Sequence, residues 1–255
     1  MKLHYQELGE GKPLIILHGL FGSSDNWMTI GRKLADTFKV YLIDQRNHGD
    51  SPHSDTHNYE VMAADLKEFI ETEKIQNPHI MGHSMGGKTA MQFAVENPDM
   101  FDQLIIVDIA PKAYPVHHAT ILKGLKSINL SELKSRNDAD KALAEYVPEK
   151  GVRQFLLKNL TRDDDKNFTW KINLPVIEAS IETIGQGLEK KLATEKDVLF
   201  IGGADSDYIR KEDNITIINF FPNASVKMIE GAGHWIHAEK PEEFLEIVLG
   251  FLSKK

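Results

Sequence analysis

The chain has 255 residues, 41% of them hydrophobic, with a formal net charge of -8 and no cysteine. A chain of that length and apolar share buries a full core, as one domain or as one domain with an inserted subdomain, which excludes a disordered polymer. The missing cysteines exclude disulfides, thiolate metal sites and a cysteine nucleophile, and the interspersed charges exclude the concentrated basic stripe that a nucleic-acid surface needs.

From residue 2 to residue 87, short β-rich runs alternate with longer amphipathic ones. Leu14-Ile15-Ile16-Leu17, Val40-Tyr41-Leu42-Ile43 and His79-Ile80-Met81 predict strands, with helices between them over 27–38 and 59–73. Continuous apolar strands suit a parallel sheet covered on both faces, the helices serving as crossovers. In the second helix Val61, Asp65, Phe69 and Ile70 fall near one face, and Pro78 closes the loop after it. The next helix carries Ala90, Met91, Phe93, Ala94 and Val95 and stops at Asn97-Pro98, because proline disfavours a helical preceding residue. Leu104-Ile105-Ile106-Val107 predicts another strand.

Between residues 109 and 196 strand-like runs vanish and only helical periodicities remain, which predicts helices over 116–127, 138–146, 152–160 and 175–184. The expected division is a core of residues 1–108 and 197–255 with a helical cap of 109–196. Within the cap, Asp163-Asp164-Asp165 lacks the glycine and spaced ligands of a calcium loop and reads as a solvated turn. Strands resume at residues 198–203 and 226–229. A terminal helix over 241–252 has proline in its first turn and buries Phe244, Leu245, Val248, Phe251 and Leu252.

Gly82-His83-Ser84-Met85-Gly86 lies between a predicted strand and a predicted helix, the setting of a nucleophile elbow that lifts a serine hydroxyl away from the sheet. Glycines flank it because side chains there would collide with neighbouring backbone. Serine is a poor nucleophile at neutral pH and needs a base within hydrogen-bond reach and an acid to orient that base. Among eleven histidines, His234 in Gly231-Ala232-Gly233-His234-Trp235 follows the last strand and precedes the last helix, where a loop returns over the carboxyl ends of the sheet. His237 is expected on the pocket wall or in solvent, and His4, His53, His57, His117 and His118 as surface or satisfied core residues. Gly87-Lys88-Thr89 lacks the upstream glycine of a phosphate-binding loop, and no histidine pair has zinc-protease spacing.

Four stretches in this order carry a resemblance: His18-Gly19-Leu20-Phe21-Gly22-Ser23, Asp44-Gln45-Arg46-Asn47-His48-Gly49-Asp50-Ser51, Gly82-His83-Ser84-Met85-Gly86-Gly87-Lys88 and Val107-Asp108-Ile109-Ala110-Pro111. Over nearly its whole length the chain resembles the α/β-hydrolase superfamily, and within it the bacterial YbfF-type esterases, akin to abhydrolase-domain-containing protein 11. The resemblance implies an α/β-hydrolase fold, mostly parallel sheet flanked by helices with an inserted helical cap, and the order Ser84, Asp108, His234 for nucleophile, acid and base. Asp205 and Asp207 stand at the strand end where most of the superfamily keeps its acid, a departure from the esterase group that leaves Asp207 as the second candidate beside the favoured Asp108. By resemblance the oxyanion donors are the backbone N–H groups of Leu20 and Met85. His18 is read as structural, and Arg46 and His48 as pins for their loop.

These readings predict a serine hydrolase of carboxylic esters, acyl thioesters included, working through an acyl-Ser84 intermediate without cofactor or metal. Phe155, Leu156, Trp170, Val176 and Ile177 are available to roof an acyl pocket. The same triad also serves C–C bond hydrolases, and some members of the fold bind ligands with little turnover. A small-molecule ester or thioester is the expected partner of a monomer or weak oligomer. No apolar run approaches the roughly 20 residues of a membrane span, and Met1-Lys2-Leu3-His4-Tyr5 lacks the features of a signal peptide, so a cytoplasmic protein is expected.

Overall fold

A strand buried on both faces has no side left for water, and uninterrupted Leu, Ile and Val runs select that position. The computed structural model describes residues 1–115, 118–192 and 195–253. Strands β1 (Tyr5–Leu8), β2 (Lys12–Leu17), β3 (Phe38–Ile43), β4 (His79–His83) and β5 (Leu104–Val107) precede a long insert. Two short strands, β6 (Leu160–Arg162) and β7 (Phe168–Trp170), form a separate antiparallel hairpin inside it. The sheet then continues with β8 (Val198–Gly203) and β9 (Ala224–Ile229), in the order β1-β3-β2-β4-β5-β8-β9, and only β1 is antiparallel.

Alternation along β2 divides the core in two. Ile15 and Leu17 face Leu66, Phe69 and Ile70 of α2 (Tyr59–Thr72, counting α1 as Met28–Leu34) together with Ala90, Met91 and Phe93 of α3 (Met85–Glu96). Leu14 and Ile16 face Ile30 and Leu34 of α1 and, from the carboxyl-terminal helix, Phe244, Leu245, Val248 and Phe251. Burial on both sides of the same strand is what its unbroken apolar run requires.

The insert carries α4 (Ala119–Ser127), α5 (Arg136–Ala144), α6 (Lys150–Leu157), α7 (Leu174–Ala179) and α8 (Ile181–Ile184). Residues 116 and 117, where the first of these helices was expected to begin, lie outside the described residues. The β6–β7 hairpin corrects the expectation of helices alone. Its strands are three residues each, too short to display a period, and the Asp163–Asn167 turn between them closes with Asp163 accepting from the Asn167 N–H at 2.8 Å. The helix expected over 175–184 is two helices broken at Ser180, whose φ of -100° and ψ of 2° leave the helical region. The insert's own core runs through Leu125, Leu143, Leu156 and Ile177 and joins Leu20, Phe21, Tyr59, Met62 and Met85 of the sheet layer.

Beyond the insert, α9 (Asp213–Phe220) bridges β8 and β9, and α10 (Ile236–Glu239) leads into α11 (Pro241–Leu252). Neither β1 nor α9 was predicted. The helix expected over 27–38 is shorter, because a 3-10 turn at Ser24–Trp27 precedes α1 and Phe38 already belongs to β3. Among the described residues no helix is long and apolar enough to cross a membrane.

Several histidines are buried. His237 is not on a pocket wall or in solvent: its ring stacks on Trp27 at 4.0 Å in the core beneath α11. His57 is buried with neither ring nitrogen hydrogen-bonded, so it is not the satisfied residue expected. Burial, reinforced by Arg46 and His18, pushes the His57 pKa down to about 4, and burial with His234 and Lys158 pushes His237 down to about 3. Both rings fold neutral, whereas the unfolded chain binds a proton on each near pH ~6.5. Their contribution to stability is therefore complete above that pH and is lost as pH falls toward the folded-state values. The unfolding free energy from urea titrations is expected to drop by roughly 2 kcal/mol per histidine between about pH 7.5 and about pH 5, and His57→Leu should flatten that dependence.

Candidate active site

Crowding at the end of β4 shapes the turn that presents Ser84. A Cβ on Gly82 would lie 2.2 Å from the Gly86 carbonyl, and one on Gly86 would lie 2.5 Å from the carbonyls of Leu17 and His18, so the first turn of α3 presses on the end of β2. Ser84 takes φ +52° and ψ -117°, a conformation costly for any residue with a Cβ. Its N–H donates to Val107 O at 2.9 Å, fixing the turn to β5. Ser84 is partly exposed between buried neighbours, at the amino end of α3.

Asp108 follows β5 with φ +48° and no exposed surface. Its carboxylate accepts from His234 Nδ1 at 2.7 Å, from the Gly203 N–H at 3.0 Å and from the Ser206 hydroxyl. Asp207 points away: its side chain is 89% exposed and pairs with Arg210 at 3.0 Å. Asp205 is exposed as well. The carboxylate that meets His234 is thus that of Asp108.

His234 is held from two further directions. Its carbonyl accepts from His83 Nε2 at 2.8 Å, and the Tyr208 ring stacks on its imidazole at 4.1 Å and 22°. The loop is closed by Glu239, whose carboxylate accepts from Gly233 N–H at 2.6 Å and Trp235 N–H at 3.2 Å. Ser84 and His234 are not hydrogen-bonded to each other, and such bonds often tighten only around substrate.

The loop after β2 brings Leu20 beside the elbow: a Cβ on Gly19 would lie 2.9 Å from His83 Nδ1 and 3.2 Å from Ser84 Cβ. His18 donates from Nδ1 to Gly19 O (2.8 Å) and accepts the Gln45 N–H at Nε2 (3.0 Å). His48 Nε2 accepts the Phe21 N–H at 3.2 Å, and Asn159 of the insert donates to Phe21 O at 2.7 Å. Arg46 lies farther back, where Nε and Nη2 meet Asp65 at 2.6 and 2.8 Å. Within the described residues the N–H groups of Leu20 and Met85 have no protein acceptor. Both side chains line a cavity with Ser84, Tyr59, Ile184 and Tyr208. Phe155, Leu156, Trp170, Val176 and Ile177 do not line it: Leu156 and Ile177 are spent in the insert's own core, and Phe155 and Trp170 pack against that core.

Sequence reasoning missed His83, Ser206 and Tyr208 as partners of the site. His83 was in view inside the elbow motif, and Ser206 stood between the two aspartates weighed as acids. A hydroxyl beside a candidate carboxylate is the signal that would have found it.

A parallel sheet crossed by helices, with a strained serine elbow and a histidine loop at its carboxyl edge, defines an α/β-hydrolase. The sequence profile of the family described as alpha/beta hydrolase fold matches residues 12–241, and the chain belongs to that family. It is 40% identical to "sn-1-specific diacylglycerol lipase ABHD11" of Xenopus laevis, covering 95% of this chain and 80% of that protein. It is 35% identical to "Esterase YbfF" of Escherichia coli K12, covering 97% and 96% respectively. A solved structure titled "Marine microorganism esterase" superposes with a TM-score of 0.95 at 45% identity, covering 98% of this chain and 99% of that one.

A fluorophosphonate probe is expected to add one phosphonyl group at Ser84, read by intact mass, and none to Ser84→Ala. His234→Ala should slow the labelling by on the order of a thousandfold.

Proposed function

We propose that the protein is a serine hydrolase of carboxylic esters, with acyl thioesters as a second substrate class, acting through Ser84, His234 and Asp108. The observation that carries this reading is the Asp108–His234 hydrogen bond of 2.7 Å beside a serine held at φ +52°. The names of the relatives, esterase and diacylglycerol lipase, support ester chemistry and do not favour the C–C hydrolase or ligand-binding readings.

In this mechanism His234 Nε2 takes the Ser84 hydroxyl proton as Oγ adds to the ester carbonyl carbon. Negative charge grows on the carbonyl oxygen, where the Leu20 and Met85 N–H groups receive it. The C–O bond to the alcohol then breaks, and the alcohol leaves with the proton from His234, leaving Ser84 acylated. Water gives a proton to His234 and adds to the acyl carbon, and Ser84 Oγ departs with that proton as the carboxylic acid is released. Asp108 holds the Nδ1–H tautomer, so Nε2 faces Ser84 as the basic nitrogen, and it stabilises the imidazolium. A small-molecule substrate, a monomer or weak oligomer and a cytoplasmic site of action complete the proposal.

With p-nitrophenyl acetate, Ser84→Ala is expected to release phenolate no faster than buffer while retaining its circular dichroism spectrum. Asp108→Asn should lower kcat by on the order of 10⁴ and Asp207→Asn by less than about twofold. The reverse ranking would transfer the acid role to Asp207.

A further inference from the structure

Where the chain leaves the sheet layer and where it comes back, residues 111–114 and 185–188 lie side by side. The Tyr114 N–H donates to Gly185 O at 2.7 Å and the Leu188 N–H to Pro111 O at 2.9 Å. The approach is close enough that a Cβ on Gly187 would stand 2.9 Å from Ala113 N. Lys88, one turn beyond Ser84 on α3, reaches this neck from below. It is 2% exposed, and its Nζ donates to Lys112 O at 2.6 Å and to Gln186 O at 2.5 Å, one acceptor on each segment. The same nitrogen stands 5.9 Å from the Tyr59 ring centroid and 5.3 Å from that of Tyr114.

Those tyrosines continue the brace. Tyr59 donates its hydroxyl to Ile184 O at 2.8 Å, and the Tyr114 hydroxyl accepts from Ala110 N–H at 2.8 Å and donates to Tyr208 O at 2.5 Å. The wall of the cavity formed by Tyr114, Ile184 and Gly185 is therefore tied to the helix that carries Ser84. A lysine is costly to bury, and here burial with Lys112 nearby pushes its pKa down to about 7. Its neutral amine still has two N–H donors for the two carbonyls, so the clamp survives loss of the charge.

The cavity at Ser84 has a volume of about 40 Å³. That is room for about three water-sized groups, against the several hundred Å³ of sites that engulf larger ligands. Leu20, Ser84 and Met85 line it and His234 does not. A leaving alcohol takes its proton from His234, which lies outside the lining of the cavity, and that assigns the cavity to the acyl chain.

We infer that the site selects esters of short acyl groups, about two to four carbons long, and that Lys88 is the positioning residue that sets this limit by clamping the neck of the insert to α3. The inference rests on the ester-hydrolase reading above and narrows its substrate class.

The test is kcat and KM of the whole protein on p-nitrophenyl acetate, butyrate, hexanoate and decanoate. Wild type should lose at least about tenfold in kcat/KM from butyrate to decanoate. Lys88→Met should raise the decanoate-to-acetate ratio by about tenfold, chiefly through a lower KM for decanoate. Decanoate turnover on a par with acetate by wild type overturns the short-acyl inference alone, whereas no turnover of any ester, acetate included, defeats the ester-hydrolase reading itself. A uniform loss across the series in Lys88→Met makes the lysine merely structural and overturns its role. Should that variant fail to fold, Ile184→Ala, which trims the braced wall, must raise the same ratio. An unchanged ratio there overturns the wall as the limit.

Discussion

A carboxylate with no exposed surface is tolerated only where donors replace the water it has lost. Asp108 meets three, from three places in the chain: His234 Nδ1, the Gly203 N–H at the end of β8, and the Ser206 hydroxyl just beyond. The demand of that one charge pulls the loop after β9 across the carboxyl edge of the sheet and holds the ends of β5 and β8 in register. The positive φ of Asp108 is stable for the same reason, because the surrounding bonds over-determine it. The position of His234 is thereby set by bonds in which Ser84 takes no part.

The other histidines of the site serve as fixed neutral rings. His18 donates from one nitrogen to Gly19 O and accepts the Gln45 N–H at the other, and His48 does the same with Arg46 O and the Phe21 N–H. Only a neutral imidazole offers one donor and one acceptor. Burial supplies that neutrality, lowering the pKa of His18 and lowering those of His48 and His83 further still. The loop that carries Leu20 is thus set by rings whose protonation state the core dictates, while His234 is partly exposed.

The sheet was legible because unbroken apolar runs and proline stops are strong signals of doubly covered strands. β1 escaped because it has only four residues at an edge with Glu7 exposed. α9 escaped because its exposed positions include Ile215 and Ile218 while Asp213 is buried, an inversion of the pattern that marks an amphipathic helix. In the site, Ser84 stood out through glycines that backbone crowding demands at 82 and 86 and His234 through its place between the last strand and the last helix, whereas order alone left Asp108 and Asp207 both open and only the resemblance favoured Asp108. Lys88 was read as the last residue of a resemblance motif and as part of a failed phosphate loop, with no role of its own. Its partners are the carbonyls of Lys112 and Gln186, which leave no trace in residue type.

The paired segments 111–114 and 185–188 also bear on how such a chain diversifies. Because the insert leaves and rejoins the sheet layer at nearly the same point, the core experiences it as a closed loop whose ends are already bonded to each other. The entropy of closing a loop grows only with the logarithm of its length, so an insert of another size grafted at this neck would alter the folding free energy of the core by little. The constraint on exchange is local instead: a transplanted insert must present two carbonyls to Lys88 and an acceptor for the Tyr59 hydroxyl. The neck is in this sense a socket, and the sheet beneath it is indifferent to most of what is plugged in.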